Sequence, residues 1–384
     1  MSSRTKDSLL WRIAKAGASF GIATVIFIFL TLIVWLGTLG QVDYGLFEAQ
    51  KKYFESYVFI EWVKIGSANI GIPLPGGYLL MILLFINMGL GLALKIRKDA
   101  KRVGMLIVHG SVLFLLLAGW VSFQFKTEGA IKLYEGQSSN VYRSYTDWVL
   151  EIIPGDKSDI LEIPEKQFAA ASPETPQTFK SPALPFDIEI THYASNSRGG
   201  PAADAADFPI IDSSTIIPME RDPQREANIP SVALNVAGEE HLIWGLITSP
   251  IKITSGEKDY LIRLAKKGNV APYSVRLDKF TKEDHPNTGQ ARVYESDITQ
   301  IFSDGADREV KIEMNEPLRD KGLIFFQSGF GPQPGERDRR PYSVLAVVTN
   351  PSDQWPTYFV FMVTAGLVIH FIQKSFLRRK AKKA

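Results

Sequence analysis

The chain has 384 residues, of which 43 are Lys or Arg and 41 are Asp or Glu, so its formal net charge at pH 7 is +2. This charge is too small for the electrostatic footprint of a nucleic-acid-binding protein and excludes nucleic acid as a partner. The chain has no cysteine, which excludes disulfide bonds, thiolate metal sites, cysteine nucleophiles, iron–sulfur clusters and covalent attachment of haem to this chain.

Four apolar segments predict membrane-spanning helices. The first has over 20 residues without a charge, enough to cross a hydrocarbon core of about 30 Å at 1.5 Å per residue. The first is expected to be an uncleaved anchor, because its apolar run is too long for a signal peptide and no Ala-x-Ala cleavage site follows it. The segments are Ala18–Leu39, Gly77–Leu94, Gly104–Gln124 and Tyr358–Leu377.

Clusters of basic residues predict the orientation of these helices. One cluster lies in the N-terminal tail 1–17, one separates the second segment from the third, and one ends the C-terminal part 357–384. Because Lys and Arg are enriched on the cytoplasmic side of membrane proteins, we expect both termini and this short loop in the cytoplasm. The chain is therefore expected to cross a bacterial cytoplasmic (inner) membrane several times, with a large periplasmic or extracytoplasmic domain.

The outer loop 42–75 of the three-helix region 18–124 carries apolar residues at helical spacing. They predict either an amphipathic helix at the membrane interface or an ordinary packed helix of the outer domain. The residues that set this spacing are Leu46, Phe47, Phe54, Tyr57 and Val58.

Short β-rich runs bounded by Gly, Pro, Asn and Asp fill the region 125–356. Their number predicts a sandwich or a partly closed barrel. Two stretches rich in Pro, Ala, Ser and charged residues, Pro154–Pro185 and Asn196–Pro230, are expected to be long loops. The predicted fold class is membrane α plus β, with four transmembrane helices and a large, mostly β extracytoplasmic domain between helices three and four.

His109 and His370 fall inside predicted spans. An ionisable residue in hydrocarbon is costly and indicates function by default. A rise of 1.5 Å per residue places His109 about 8 Å and His370 about 10 Å from the cytoplasmic ends of their helices, a similar depth. Neutral imidazole is a common axial ligand of haem. A haem between the helices and purely structural imidazoles both remain open, whereas Asn87 is expected to bridge helices.

The other polar motifs give weaker signals. His192 and His241 are expected to be hydrogen-bonded or solvent-facing, and the density of Pro, Asn and Gly after His285 favours a turn over a metal site. The aromatic run Gly322–Phe330 is expected to be a buried strand, with an exposed binding edge as the alternative. No phosphate-binding loop, nucleophile elbow or His-Glu-x-x-His pattern is present.

Several short motifs occur in an order that resembles the ResB family, also called the CcsB component of system II cytochrome c biogenesis, over nearly the whole chain. Those of the membrane region are Gly37-Thr38 with Gln41, and Val108-His109-Gly110. Three spans, a large outer domain and a closing span are also the layout of that family. The outer-domain motifs are Leu277-Asp278-Lys279-Phe280, His285-Pro286-Asn287-Thr288, Tyr294-Glu295-Ser296-Asp297-Ile298, Ile312–Leu318, Gly322–Ser328, Tyr342-Ser343-Val344 and Asn350-Pro351.

The resemblance implies an assembly factor that works with a CcsA/ResC-like partner, which carries a Trp-rich haem-handling segment that this chain lacks. Together the two proteins would export transiently bound haem b and attach it to apocytochrome c. His109 matches the third-span histidine that serves as an axial ligand of the haem iron, and the second ligand comes either from the partner or from His370. The chain is not expected to catalyse alone and has no catalytic residue, but forms part of a holocytochrome c synthase complex.

Two other functions remain open on the residues alone. A b-type electron-transfer subunit would use His109 and His370 as a bis-imidazole pair, and a β-domain membrane anchor would hold both as structural residues without a cofactor. The absence of cysteine suits an assembly factor, because such a chain cannot be trapped in mixed disulfides with the thiols of apocytochrome c.

Overall fold

The computed structural model describes residues 8–156, 160–201, 208–211, 213–247, 249–286, 291–332 and 338–381. The chain divides into two compact units, a helical one made of Met1–Lys126 with Asn350–Ala384 and a mostly β one made of Thr127–Thr349. The α-helices are α1 (Leu9–Gly17), α2 (Phe20–Ala49), α3 (Gly77–Leu94), α4 (Val103–Phe125), α5 (Glu165–Phe168) and α6 (Trp355–Ala381).

Four helices of the first unit are long and apolar enough to cross a membrane, which confirms the predicted number of apolar helices. The order of helices differs from the predicted one, because α1 precedes the first apolar helix and α5 lies inside the β region. Counted over all α-helices, the large β region therefore follows the fourth helix, α4, and precedes α6. The apolar segments are Phe20–Asp43, Gly77–Leu94, Val103–Phe125 and Trp355–Ser375.

Asn87 of α3 fixes the joint between α1 and α2. Its Nδ2 donates hydrogen bonds to the carbonyl oxygens of Gly17, at 2.6 Å, and of Ser19, at 3.0 Å. Ser19 also begins α2, because its Oγ accepts a hydrogen bond from the backbone N–H of Ile22. Asn87 thus bridges helices, as its residue type and position predict.

The chain folds back on α2 after Gly45. This glycine has a φ of 74°, a left-handed conformation that interrupts the helical backbone. A five-residue π-helix that ends at Phe54 follows α2 and packs against Gly37 and Gly40. A Cβ at either glycine would come within 2.7 Å of the ring of Phe54 or Tyr53. The Gly37 motif is therefore explained by close packing.

The amphipathic helix predicted in the outer loop is only half right. The backbone is helical to Phe54, but it then forms a β-hairpin of β1 (Val58–Ile65) and β2 (Ala68–Pro75). Gly66 has a φ of 63°, which allows the two-residue turn between the strands. Strand β1 is rich in β-branched and aromatic residues, and β2 has Ile70, Ile72 and Leu74 at alternate positions. The helical spacing that begins at Leu46 does not extend into this hairpin.

Helices α4 and α6 pack closely along a stripe of small residues. A Cβ added to Gly104 would lie 2.4 Å from the backbone nitrogen of His370 and 2.6 Å from the carbonyl oxygen of Gly366. At the other end of α4, the Oγ of Ser352 donates a 2.9 Å hydrogen bond to the carbonyl oxygen of Ala118. The two helix backbones therefore touch near Gly104, and the side chain of Ser352, just before α6, is hydrogen-bonded to the other end of α4.

We expect Gly104→Ala to weaken this helix pair by about 1 to 3 kcal/mol, because the added methyl group meets backbone atoms that cannot rotate away. The free energy of unfolding of the purified chain in mixed detergent micelles measures the effect. Gly110→Ala on the same helix is the matched control, since a Cβ at Gly110 meets nothing within 4 Å. Equal stability of the two variants would contradict the close contact.

The second unit contains a four-stranded and a ten-stranded antiparallel sheet, besides the small pair β8–β9. The four-stranded sheet has the order β11-β10-β7-β6, and the larger one β15-β14-β13-β4-β3-β18-β17-β16, with β12 beside β13 and β5 beside β4. The strands are β3 (Thr127–Tyr134), β4 (Ser138–Pro154), β5 (Leu161–Pro164), β6 (Gln177–Phe179), β7 (Ile188–Ala194), β8 (Ser197–Pro201), β9 (Ser214–Pro218), β10 (Ser231–Val236), β11 (Glu239–Trp244), β12 (Ile251–Ser255), β13 (Lys258–Asp284), β14 (Ala291–Ile301), β15 (Arg308–Glu313), β16 (Leu318–Asp320), β17 (Leu323–Gly331) and β18 (Tyr342–Thr349).

Strand β13 runs through two hydrophobic cores of this unit. Its Ile262 packs in the first core with residues of the four-stranded sheet, such as Leu234. Its Leu277 packs in the second core, among residues of the larger sheet alone, such as Phe325 and Leu345. The first core is thus shared by the two sheets, and the second is enclosed by the larger sheet, which curls so that β14 and β15 contact β17.

The two stretches predicted to be long loops contain short elements. The first includes β5, α5 and β6, and Phe168 of α5 is completely buried. The second includes the pair β8–β9. Strands of three to five residues among prolines give no periodic signal, which is why the sequence does not predict them.

Candidate functional site

The imidazole of His109 is oriented by its own helix. Its Nδ1 lies 2.9 Å from the carbonyl oxygen of Met105, one turn earlier on α4. A carbonyl oxygen only accepts hydrogen bonds, so this contact places the ring proton on Nδ1. The lone pair of the neutral ring is then on Nε2, the atom left to bind a metal. A backbone carbonyl behind the ring is a common way to orient a metal-ligating histidine.

His109 lies on the side of α4 that faces away from α6. The buried residues of α4 are Gly104, Ser111 and Ala118, at intervals of seven residues, whereas His109 is exposed. Because successive residues of an α-helix are rotated by about 100°, His109 points about 140° away from Gly104, which contacts α6. Its Nε2 is therefore presented outward from the α4–α6 pair.

His370 occupies a different environment from His109. Its backbone packs against Gly104, its side chain is half-buried, and its ring lies 5.6 Å from the ring of Phe371 in an edge-on arrangement. The two histidines were expected at similar depth, but they lie on different faces of the helix pair. Among the hydrogen bonds and ring contacts of the described residues, none joins the two imidazoles.

The chemistry of His109 fits a haem iron better than any multidentate metal site. Across the residues that the structure describes, no group of three or more His, Cys, Asp or Glu side chains could hold a metal ion. A single neutral imidazole brings a lone pair but no charge, and haem is a cofactor that needs only one or two axial protein ligands. His109 would hold such a group from one side.

An apolar cavity of about 910 Å³ lies toward the other end of α4. Its α4 residues, 115–123, lie about 9 to 21 Å further along the helix axis than His109. Tyr78 and Gln124 share a 3.1 Å hydrogen bond near its wall. The residues that line it come from α2, α3, α4, the end of the π-helix and the segment 350–356, and they include no histidine, so this cavity is separate from the candidate ligand.

Three outer-domain motifs of the family resemblance meet in one buried network that the sequence does not predict. Gln327 of β17 accepts hydrogen bonds through its Oε1 from the hydroxyls of Ser296, at 2.6 Å, and Ser343, at 3.1 Å. Both serines are completely buried. The residue types alone carry no signal for this contact, because it depends on the pairing of distant strands.

The remaining histidines form no site. His192 Nδ1 lies 3.0 Å from the hydroxyl of Thr191, in agreement with the expected hydrogen bonding. His241 Nε2 is buried and, among the described residues, has no hydrogen-bond partner, its distance of 3.9 Å to Glu239 being too long. The turn predicted after His285 falls mostly on 287–290, which lie outside the described residues.

Residues 252–339 match the model of the ResB-like family. This segment contains β13 to β17 and most of the outer-domain motifs, so the resemblance is confirmed for this part of the chain. A comparison with curated proteins finds no match. The ResB-like family is associated with cytochrome c biogenesis, and four apolar helices agree with a membrane protein.

Proposed function

Given its match to the ResB-like family, we propose that this chain is a membrane assembly factor of system II cytochrome c biogenesis. It works with a CcsA/ResC-like partner, and together they hold and export haem b for attachment to apocytochrome c. The family match and the four apolar helices support the general role. The basic clusters support a location in the cytoplasmic membrane of a bacterium, with residues 127–349 on the outer side.

The orientation of His109 is the observation that carries the haem part of this proposal. Its Nδ1 is occupied by the carbonyl of Met105, and its exposed ring presents Nε2 away from α6. A ligand for a cofactor shared with a partner has to present a nitrogen lone pair on an exposed face of its helix, as the Nε2 of His109 does. Bound haem supplies the vinyl groups to which the thiols of apocytochrome c add.

The same orientation favours a partner as the source of the second axial ligand. A second protein ligand for the same group would have to face His109, whereas α6 with His370 packs against the Gly104 side of α4. The electron-transfer alternative would need both imidazoles on one haem and gains no support from this arrangement. His370 is therefore proposed to serve the packing of α6.

Deletion of this chain from its source bacterium tests the function. Haem that remains protein-bound after denaturing electrophoresis is covalently attached, and we expect that signal to disappear while b-type cytochromes persist in membrane spectra. Re-expression of the chain should restore it. Unchanged covalent haem in the deletion strain would refute the assembly function.

A further inference from the structure

The curled ten-stranded sheet is not paired along all of its length. Strand β15 pairs with β14 only from Glu295 to Gln300, although β14 begins at Ala291. Strand β16 pairs with β17 only from Leu323 to Phe325, although β17 continues to Gly331. Among the described residues, the stretches 291–294 of β14 and 326–329 of β17 therefore pair with a neighbouring strand on one side only. We call these two stretches the seam.

A cavity of about 530 Å³ lies at the seam. Tyr294 lines it from β14, and 327–330 line it from β17, while Met314 follows β15 directly. Strand β18 contributes Tyr342 and Val344. The cavity thus touches the seam at Tyr294 of β14 and at 327–329 of β17, where β15 and β16 no longer pair with these strands.

The side chains behind the seam already satisfy one another. Gln327 uses its Oε1 for the hydroxyls of Ser296 and Ser343 and its Nε2 for the carbonyl of Gly329, at 2.9 Å. This network leaves little side-chain hydrogen-bonding capacity for a small polar ligand. The polar groups that the seam offers are instead the N–H and C=O groups of its backbone, which bind best to another backbone.

Aromatic side chains line the flanks of the cavity. The ring of Phe330 stacks on Phe280 with centroids 5.4 Å apart and also contacts Tyr294 at 4.9 Å. On the other flank, the Nζ of Lys132 lies 3.6 Å from the ring centre of Tyr342. Flat rings beside an open strand edge provide pockets for alternate side chains of an added strand.

We propose that the seam binds one extended segment of apocytochrome c by strand addition, an inference that rests on the proposed function. Strand addition requires an occupant with N–H and C=O groups repeated along an extended backbone, which a lipid or a small molecule does not have. A polypeptide whose thiols must still react with haem has to present them in an unfolded segment. Such a segment can lend its backbone to the seam.

Amide hydrogen exchange of the full chain in detergent micelles tests the proposal. The probe is a synthetic peptide that contains the Cys-Xaa-Xaa-Cys-His haem-attachment sequence, kept reduced. We expect this peptide to slow exchange at 291–294 and 326–329. A version methylated at alternate backbone nitrogens should bind about tenfold more weakly or worse, because it lacks donors along one edge.

Met314→Lys is the diagnostic variant, because Met314 lines the cavity and its residue is 52% exposed, so a charge there should not disturb folding. It is expected to weaken peptide binding by about tenfold or more, through loss of an apolar contact in the cavity. Met219→Lys is the matched control, since Met219 is 49% exposed and lies outside the cavity. It should bind the peptide like the unmodified chain.

Protection elsewhere in the chain, or binding that Met314→Lys leaves unchanged, would overturn the proposal. Equal binding of a scrambled peptide would remove apocytochrome c as the occupant, and protection of the seam that grows with protein concentration alone would assign it to a second copy of the chain. If deletion leaves covalent haem unchanged while the peptide still binds the seam, the cytochrome function is refuted and the strand-addition site remains. If deletion abolishes covalent haem but the peptide does not protect the seam, the function remains and the binding site is refuted.

Discussion

The haem absorption band of the full chain purified with its haem-handling partner is expected to fall by about tenfold or more in the His109→Ala variant. Loss of the hydrogen-bond partner behind a metal-ligating histidine alone costs about 10- to 100-fold in metal affinity, and loss of the ligand itself should cost at least as much. Added imidazole should restore the band, because it can occupy the space of the missing ring with its lone pair toward the iron.

His370→Ala is the internal control for this result. Its backbone contact with Gly104 does not depend on the imidazole, so the variant should keep both its packing and its haem band. A band lost equally in both single variants would instead favour a haem held by the two histidines. No haem in the unmodified complex would contradict the role of His109.

Replacing Glu151 by glutamine is expected to destabilise the outer unit by about 3 kcal/mol, because it leaves two buried or half-buried guanidinium groups without a counter-charge. The Glu151 residue is 2% exposed. Its Oε2 accepts hydrogen bonds from Arg263, with the shorter at 2.6 Å, and its Oε1 accepts one from Arg143. Denaturant unfolding of the full chain, followed by the β signal in circular dichroism, gives the free energy.

Glu240→Gln on β11 is the matched control for this charge removal, since Glu240 is exposed, and its effect should stay within about 0.5 kcal/mol. A second variant separates the charge from the packing. Joint replacement of Arg143, Glu151 and Arg263 by Met, Leu and Met should recover much of the loss, because no charge is then left uncompensated. A Glu151→Gln protein as stable as the unmodified chain would contradict the buried ion cluster.

Burial also disfavours the charged form of Lys266, which lies on β13 with Arg263. Lys266 has its Nζ 4.2 Å from the ring centre of Trp148 and donates a 2.7 Å hydrogen bond to the carbonyl of Tyr145. Burial lowers the pKa of Lys266 to about 8, and nearby Glu165 only partly opposes this. Because this pKa lies below that of the unfolded chain, the group contributes stability that rises with pH above about 8.

The four apolar helices could be predicted because long apolar runs are a local property of the sequence. The hairpin that begins at Val58 could not, since the residues before it match helical spacing and the competing strand pattern is only eight residues long on each side. The short strands within the Pro-rich stretches were missed for a related reason, as three to five residues are too few to show a periodic pattern.

The candidate site was predictable in its chemistry but not in its geometry. A histidine in an apolar helix indicates a ligand by residue type, and a carbonyl four residues earlier is available in any helix. The face that His109 presents depends, however, on where Gly104 meets Gly366, a contact between segments far apart in the chain. The network around Gln327 likewise depends on strand register, which no single motif specifies.

The arrangement of α4 and α6 imposes an order on biosynthesis. The ribosome must complete the entire stretch Thr127–Thr349 before α6 exists. Until then the small-residue stripe of α4, from Gly104 to Ala118, has no helix against it. A nascent chain that stalls in the β region therefore exposes this stripe to other helices. Premature termination anywhere before Trp355 yields a helical unit that lacks α6. We expect such an incomplete unit to be degraded by quality-control proteases.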